Sequence, residues 1–442
     1  MLLEPILSFI ETKTYGQLFN FFWFFIVFEL SRYIILDLIT LLWHICYRSF
    51  NWKSYRRARH SLFSERPLVS IISPGHNEGK NIPQLIESLE RQTYRHFEVI
   101  VVDDGSTDNT QIICRDFLRH KKIQLFLRNS QRGGKASAAN TGLRYAKGKF
   151  IIHIDADSYL RSDALEQLLI NFYINPRLGA VGGDIRVANS SDGICPTLQT
   201  LEYMRSLSVG RTVNSTLGIL RIISGAYGAF RTDILRRLKG WAPGPGLDGD
   251  ITIKIRKLGY EVAHEPYSAC YTHVPVTFAR LAKQRYRWDR SLVRFRLRTH
   301  IDMLNPFQKN FKLSNFATLV ENIIYNVVLN AKWWVYVTHQ ILYNTEYIHF
   351  IFIVNFFLYA TMSLFQLLFS TLLYSFTIQK SEIASIVFFP LIPIYTGLFL
   401  RIVRTYAYLM ECFHKASYYD KWNPWKVSAV VQRMDSETKD PR

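Results

Sequence analysis

The feature that most constrains this chain is an apolar run at residues 149–154 that ends on two aspartates one residue apart, Asp155 and Asp157. A β-branched run of this length predicts a buried strand, so both carboxylates would lie at its carboxyl end. In an open α/β sheet, ligands bind at that end of the strands. Two carboxylates so close repel each other unless a cation lies between them, and oxygen ligands suit Mg²⁺ or Mn²⁺. The alternative is an Asp-rich turn that caps the next helix.

Strand and helix patterns alternate four times up to this aspartate pair. The apolar runs that predict strands lie at residues 67–74, 97–102, 123–127 and 149–154, with helical patterns between them. Such alternation predicts a doubly wound, mostly parallel α/β sheet whose strands point their carboxyl ends at one crevice. Beyond Asp157 the pattern loosens, and residues 179–187 are predicted to form an edge strand.

The net charge of +19 would suit nucleic acid, anionic substrates or a membrane surface, and the position of the charge decides between them. Basic side chains cluster at residues 48–59, directly after an apolar segment, and again at 280–298. Both clusters border hydrophobic territory, so a cytoplasmic membrane leaflet is the expected partner and nucleic acid is not. The five cysteines have no CxxC spacing, so the sequence indicates neither a zinc site nor a disulfide framework.

Apolar segments flank the predicted sheet on both sides. Residues 18–46 are long enough for one tilted membrane span or two short ones, and the basic run after them predicts a cytoplasmic end. Further candidate spans lie near residues 317–342, 348–373 and 383–402. The first of these carries Glu321 and Lys332, so it should face a protein-lined or hydrated path. A basic amphipathic helix near residues 277–300 is predicted to lie in the membrane interface.

Four motifs follow one another along the chain: VDDGSTD at residues 102–108, DAD at 155–157, DGD at 248–250 and QRYRW at 284–288. Their order and character resemble those of the processive family 2 glycosyltransferases, the group that includes the synthases of cellulose, chitin, hyaluronan and poly-N-acetylglucosamine. The similarity covers about residues 67–300. The size of the chain and the expected lack of a cyclic-dinucleotide-binding domain make it most similar to the bacterial poly-β-1,6-N-acetylglucosamine synthases.

This resemblance implies a nucleotide-diphospho-sugar transferase fold of GT-A type and gives roles to the donor side of the site. Asp104 would accept the uracil N3 hydrogen. Lys135 would pair with the diphosphate, after two glycines that let the backbone approach a phosphate. Asp157 would bind the metal, and Asp155 would meet the ribose or share the metal.

Asp248 matches the general base of the family. It would remove the proton from the acceptor hydroxyl as that oxygen attacks the anomeric carbon, and a single base implies inversion. The acid that commonly precedes this aspartate is replaced by Leu247, which leaves Asp250 as an alternative base. The spacing to Glu265–Pro266, which resembles the family's EP turn, favours Asp248.

The QRYRW motif and one small-residue loop complete the set that the resemblance implies. Arg287 would neutralise charge on the leaving diphosphate, and Trp288 would stack on the acceptor sugar. Ser224 and Gly225 fall where the family has an acceptor-side loop, although a plain strand bend is the alternative. Further contacts to the nucleotide sugar are expected from Gln284 and Arg285.

The resemblance also implies an arrangement of domains. The predicted parts are an N-terminal transmembrane segment at 1–47, a basic cytoplasmic linker at 48–66, a cytoplasmic glycosyltransferase domain at 67–275, interfacial helices at 276–312, a C-terminal region of about three spans at 313–410 and a polar tail at 411–442.

We therefore expect a multi-pass enzyme of the inner (plasma) membrane that uses Mg²⁺ or Mn²⁺ and polymerises a β-linked exopolysaccharide from a UDP-sugar, with UDP-N-acetylglucosamine first. Its expected partners are the donor, the growing polysaccharide, the bilayer and a small accessory membrane subunit. A synthase that uses another UDP-hexose such as UDP-glucose, and a nonprocessive lipid-linked sugar transferase, stay open as alternatives. So does a nonenzymatic membrane receptor or scaffold with this fold, against which the intact Asp155, Asp157 and Asp248 argue.

Overall fold

The structure is a computed structural model that describes residues 8–244, 246–308, 311–374 and 377–419, with the backbone alone at 296 and 297. The part of the predicted polar tail from residue 420 onward, and the first seven residues, lie outside this description.

An eight-stranded mixed sheet forms the centre of the described residues. Its strands are β1 Val69–Gly75, β2 Phe97–Asp103, β3 Leu125–Arg128, β4 Phe150–Ile154, β5 Ser158–Leu160, β6 Leu178–Val187, β7 Tyr227–Arg231 and β8 Glu261–Thr272. They stand in the order β3-β2-β1-β4-β7-β6-β8-β5. The first four strands are parallel, whereas β7 runs antiparallel to both β4 and β6. The predicted α/β fold is confirmed.

Helices surround this sheet. In chain order they are α1 Tyr15–Phe24, α2 Asp37–Phe50, α3 Trp52–Glu65, α4 Ile82–Glu90, α5 Thr110–Arg119, α6 Lys135–Tyr145, α7 Ala164–Ile174, α8 Ile194–Glu202, α9 Gly210–Thr216, α10 Thr232–Arg237, α11 Leu247–Lys257, α12 Phe278–Leu292, α13 Leu313–Ile323, α14 Leu329–Tyr343, α15 Ile348–Leu373, α16 Lys380–Ser385, α17 Ile392–Ile394 and α18 Leu400–His414. Wider π-helical stretches continue some of them, at Phe25–Leu36, Tyr203–Val209, Val293–Thr299, Ile324–Val328 and Tyr395–Phe399. Short 3-10 turns lie at Ile301–Leu304, Thr345–Tyr347, Ile386–Leu391 and Ala416–Tyr419.

Strands β1, β2 and β4 are mostly apolar because helices cover both faces of this part of the sheet. Ile71 and Ile152 point into a core shared with α4 and α7, and their neighbours Ile72 and Ile151 point into a core shared with α6. A strand buried on both faces reads as a continuous apolar run rather than an alternating one. This burial explains why these strands could be located from the sequence.

Strand β6 is internal, so the predicted edge position was wrong. It lies between β7 and β8, and all ten of its residues are buried. Its partner β8 contains Glu265 and Pro266, and the register between the two strands shifts next to Glu265. Such an irregularity conceals a strand in the sequence because it breaks the regular apolar pattern.

Two helical segments of the described residues, Thr345–Leu373 and Lys380–His414, are long and apolar enough to cross a membrane by length and composition. The first contains the predicted span at 348–373 and the second contains the one at 383–402. The predicted span at 317–342 falls within α13 and α14, where Glu321 forms an ion pair with Arg221 at 3.3 Å. That span and the N-terminal one stay predictions.

The apolar N-terminal segment folds as one continuous helical stretch from α1 through α2. The charges that interrupt it are paired rather than exposed, because Arg32 donates to the buried carboxylate of Asp37 and to the side-chain oxygen of Asn214 at 3.0 Å. Asn214 belongs to α9, next to the sheet. These bonds attach the N-terminal segment to the sheet domain.

Candidate active site

The carboxyl ends of β1, β2 and β4 meet at one edge of the sheet. Gly75 at the end of β1 pairs in register with Asp103 at the end of β2, and β4 lies on the other side of β1 and ends at Ile154. The loops that follow these strands carry Asp104 and the pair Asp155 and Asp157. The predicted convergence of the acidic strand ends is therefore present in the structure.

Asp104 is almost fully buried, and its carboxylate holds the Gly133–Gly134 loop in place. One oxygen accepts from Asn129 at 2.8 Å and from the Gly133 amide at 2.9 Å, and the other accepts from the Gly134 amide at 2.7 Å. Both glycine amides thus point at Asp104 rather than at an open phosphate position. A carboxylate has about four acceptor positions, so one is left for another donor.

Lys135 opens α6 directly after this loop and joins two predicted parts of the site. Its ammonium forms an ion pair with the Asp155 carboxylate and donates to the carbonyl oxygen of Gly225 at 2.9 Å. The amide of Asp155 in turn donates to the carbonyl oxygen of Ala226 at 3.0 Å. The donor-side aspartates and the acceptor-side loop are thereby brought into contact.

The aspartate pair sits in a field of negative charge. Burial raises the pKa of Asp155 to about 6, the Lys135 ammonium opposes that rise, and the nearby charges of Asp157 and Asp248 add to it. Asp157 accepts from the Ser158 hydroxyl at 3.2 Å. Within the described ranges, no third His, Cys, Asp or Glu joins them in a metal-binding cluster. Lys135 supplies one positive charge through its ion pair with Asp155, and one positive charge does not neutralise both carboxylates.

Glu78, in the loop after β1, is a neighbour of the pair that the sequence motifs missed. Its carboxylate accepts from Asn81 at 2.7 Å. Burial raises its pKa to about 7, and the charges of Asp157 and Asp155 contribute to the rise. The available signal was its position at the carboxyl end of the strand that adjoins β4.

Asp248 lies in the first turn of α11 and faces the acceptor-side loop. Its Oδ2 atom accepts from the Gly225 amide at 3.3 Å, and its Oδ1 atom accepts from the Gly249 amide at 3.0 Å. A Cβ atom on Gly225 would lie 3.4 Å from Nζ of Lys135 and 3.5 Å from the Asp248 side chain. Gly225 is therefore the point at which the lysine and this carboxylate meet.

Asp250 points elsewhere, although it is only two residues away. It is buried, its Oδ1 atom lies 2.9 Å from Nε2 of His300, and its Oδ2 atom lies 2.6 Å from Nζ of Lys254. Burial alone would raise its pKa, but His300 and Lys254 hold it below the usual value. The geometry thus commits Asp250 to ion pairs and leaves Asp248 facing the crevice.

The QRYRW motif lies on α12, which begins after its N-cap Thr277. Arg285 is buried and donates to Glu202 at 2.9 Å, Arg287 is partly buried, and Trp288 is 41% exposed. Gln284 has a buried Oε1 atom without a hydrogen-bond partner. Trp288 is therefore a partly exposed aromatic side chain on a helix whose neighbouring residues are packed against the protein.

Helix α12 is held between the start of α11 and α18. A Cβ atom on Gly246, which precedes α11, would lie only 2.6 Å from Cβ of Ser291. On the other side, Asp289 forms an ion pair with Arg404 at 3.4 Å and the Tyr286 ring stacks on Tyr406. The motif helix is thus packed beside the segment that carries Asp248.

A mixed α/β sheet with paired carboxylates at its strand ends, and a further carboxylate facing them from a helix, is compatible with a glycosyltransferase, and similarity to known proteins decides the class. Residues 70–239 match the family model described as Glycosyl transferase family 2. The family resemblance inferred from the motifs and the enzyme class are confirmed. The roles of the individual site residues stay predictions.

Characterised proteins similar to this chain include bacterial synthases. The chain is 29% identical over 386 residues to the poly-β-1,6-N-acetyl-D-glucosamine synthase of Staphylococcus epidermidis, covering 85% of this chain and 90% of that protein. It is 27% identical over 328 residues to the synthase of the same name from Staphylococcus aureus, covering 72% and 73%. The mannosyltransferase PcManGT of Pyrobaculum calidifontis, solved with GDP-Man and Mn²⁺, superimposes with a TM-score of 0.54 at 20% identity, over 86% of this chain and 99% of that one. At that identity the likeness concerns the fold.

Proposed function

We propose that this protein is a membrane-bound, inverting glycosyltransferase that polymerises a β-linked polysaccharide from UDP-N-acetylglucosamine. The proposal rests on the hydrogen bonds that Asp248 and Lys135 each form with Gly225. Because Lys135 also pairs with Asp155, these bonds set a carboxylate base beside the aspartate pair. The names of the staphylococcal relatives support the choice of sugar.

In the proposed reaction, the acceptor hydroxyl attacks the anomeric carbon from the face opposite the diphosphate. Asp248 takes the hydroxyl proton as the new carbon–oxygen bond forms and the bond to the diphosphate breaks, so that UDP leaves with the bonding electron pair. A single displacement converts an α-linked donor into a β-linkage. Lys135, next to Asp155, would face the diphosphate, and Arg287 would neutralise its charge as it leaves.

The aspartate pair fits a divalent cation. Asp157 and Asp155 would hold it, and Mg²⁺ is commonly bound in this way by one or two carboxylates together with substrate phosphates. When bound, Mg²⁺ or Mn²⁺ would supply positive charge to the donor diphosphate. Burial is the main cause of the raised pKa of Asp155, and a bound cation would also offset the smaller repulsion from Asp157 and Asp248.

Membrane insertion is supported by the two long apolar helical segments and by the exposed side chains around the N-terminal segment. Ile39 and Trp43 of α2 are more than half exposed, and the exposed basic residues Lys53, Arg56 and Arg57 follow them. That order supports a catalytic domain on the cytoplasmic side of the plasma membrane. Bonds between polar side chains within the apolar helices, such as Asn330 to Thr405 at 2.9 Å, suit a hydrated path for the polymer.

The test is UDP release by the detergent-purified full chain with a panel of UDP-sugars, in EDTA and then in Mn²⁺. We expect turnover with UDP-N-acetylglucosamine that requires the metal, and weaker Mn²⁺ binding, measured by electron paramagnetic resonance, in Asp157→Asn. Turnover with UDP-glucose and not with UDP-N-acetylglucosamine would show that the donor is UDP-glucose. Silence with every donor would favour the receptor alternative.

A further inference from the structure

Arg285 of the QRYRW motif forms an ion pair with Glu202 of the sheet domain. Its Nη2 atom donates to Oε2 of Glu202 at 2.9 Å, and the two side chains are only 10% and 12% exposed. Glu202 is the last residue of α8, in the sheet domain. The guanidinium charge of the motif helix is therefore neutralised by a nearly buried carboxylate of the sheet domain.

The same oxygen of Glu202 also accepts from the Tyr395 hydroxyl at 2.7 Å. Tyr395 belongs to the apolar segment Lys380–His414. One carboxylate oxygen thus joins the sheet domain, the QRYRW helix and a candidate membrane helix. Such a shared acceptor fixes the position of Arg285 more firmly than a single ion pair would.

Trp288 lies three residues after Arg285, which places the two side chains on the same face of α12. The guanidinium carbon lies 4.4 Å from the centre of the indole ring, within cation–π distance. Trp288 nevertheless remains 41% exposed. The ring is therefore supported on one side by a cation and open elsewhere for another planar or apolar group.

We propose that Arg285 is a positioning residue for the acceptor side: Glu202, itself held by the Tyr395 hydroxyl, holds the guanidinium, and the guanidinium holds the Trp288 ring in the orientation that stacks on the acceptor sugar. The proposal rests on the function proposed above, in which Trp288 receives the acceptor. It replaces the donor contact that the motif resemblance gave to Arg285.

The test is a set of steady-state measurements on Glu202→Gln, Tyr395→Phe and Arg285→Lys, with donor and a β-linked N-acetylglucosamine oligosaccharide varied separately. Loss of a cation–π support of about 1 kcal/mol corresponds to about a fivefold weaker acceptor interaction. We expect the acceptor KM to rise by about that factor, and the products to shorten, while the donor KM stays within about twofold. Tyr395→Phe removes a single hydroxyl, so it keeps the test available where Glu202→Gln fails to fold.

The control is Glu166→Gln on α7, which breaks a more exposed carboxylate pair, with Arg59 of α3 at 2.6 Å. It should change neither KM. In a Trp288→Leu background, Glu202→Gln should add no further loss, because its effect acts through the ring.

Three results would overturn the inference. A raised donor KM with an unchanged acceptor KM would indicate that Arg285 binds the nucleotide sugar. An additive loss in the Trp288→Leu background would place the effect of Glu202 elsewhere. If the wild-type enzyme is active and every variant has the same kinetics as the wild type, only this inference is contradicted. If the wild-type enzyme is inactive, both the proposed function and this inference are contradicted.

Discussion

The backbone amide of Gly225 donates a hydrogen bond to Oδ2 of Asp248 at 3.3 Å. This bond ties the first turn of α11 to the loop that precedes β7. The carbonyl oxygen of Gly225 meanwhile accepts from Lys135, which pairs with Asp155. One residue without a side chain thus links the proposed base to the carboxylates at the end of β4.

If Asp248 is the base, Asp248→Asn should lower turnover by about 10²- to 10⁴-fold, the usual contribution of a positioned general base, without lowering the melting temperature. The control is Asp250→Asn, which removes the charge that faces His300 and Lys254 and should destabilise the protein. UDP release and thermal unfolding distinguish the two variants. Full activity in Asp248→Asn would move the base elsewhere.

Glu78 should give a pH-dependent stability difference. Its pKa is raised from the ordinary 4.5 to about 7, so the folded state disfavours its charged form. Its ionisation therefore costs stability as the pH rises from about 4.5 to 7, and that cost stays constant above this range. Glu78→Gln should melt at a higher temperature than the wild type at pH 8, in EDTA, and the difference should shrink towards pH 5. A difference that does not vary with pH would refute this account, and the exposed Glu87→Gln provides the control.

Lys135 should matter for the donor. Removing its ammonium in Lys135→Gln leaves Asp155 beside Asp157 and Asp248 without a cation, and takes away a charged partner for the diphosphate. A charged hydrogen bond contributes about 1.5–3 kcal/mol, so the donor KM should rise by about tenfold or more. Lys149→Gln, which breaks a surface pair with Glu65, should leave it unchanged. An unaltered donor KM in Lys135→Gln would show that Lys135 does not bind the donor.

Gly246 should be intolerant of any side chain. Its φ angle of +84° is unfavourable for other residues, and a Cβ atom there would lie 2.6 Å from Cβ of Ser291 and 2.7 Å from Cε2 of Phe295. Gly246→Ala should therefore lower the melting temperature and reduce activity, because it separates α11 from α12. Gly218→Ala tests the angle alone, since φ there is +70° and nothing lies within 4 Å. Equal losses in both variants would show that the clash contributes nothing.

The positions of the acidic strand ends could be predicted from the sequence because their signals are local. Asp104, Asp155 and Asp157 each follow an apolar run, and the strand that precedes each residue determines where it lies. The choice between Asp248 and Asp250 was only partly local, since Lys254 lies four residues after Asp250 but its other partner, His300, lies fifty residues away. Spacing favoured Asp248, but only the packing explains the difference.

The predictions that failed or were missing depend on contacts between distant segments. Strand β6 was assigned to an edge because its partner β8 lies far along the chain and is irregular. The ion pair between Arg285 and Glu202 was not predicted, because the two residues lie 83 positions apart in the sequence. Glu78 carried no motif at all, and its relevance appears only once β1 is placed beside β4.

The most direct test of the central claim is the structure of the product made by the purified full chain from UDP-N-acetylglucosamine. Gel filtration gives its length, and the anomeric proton couplings in its NMR spectrum give the configuration of the linkage. The proposed single displacement at Asp248 predicts a polymer of β-linked residues. An α-linked product would contradict the single displacement, and a single sugar on a lipid would contradict polymerisation.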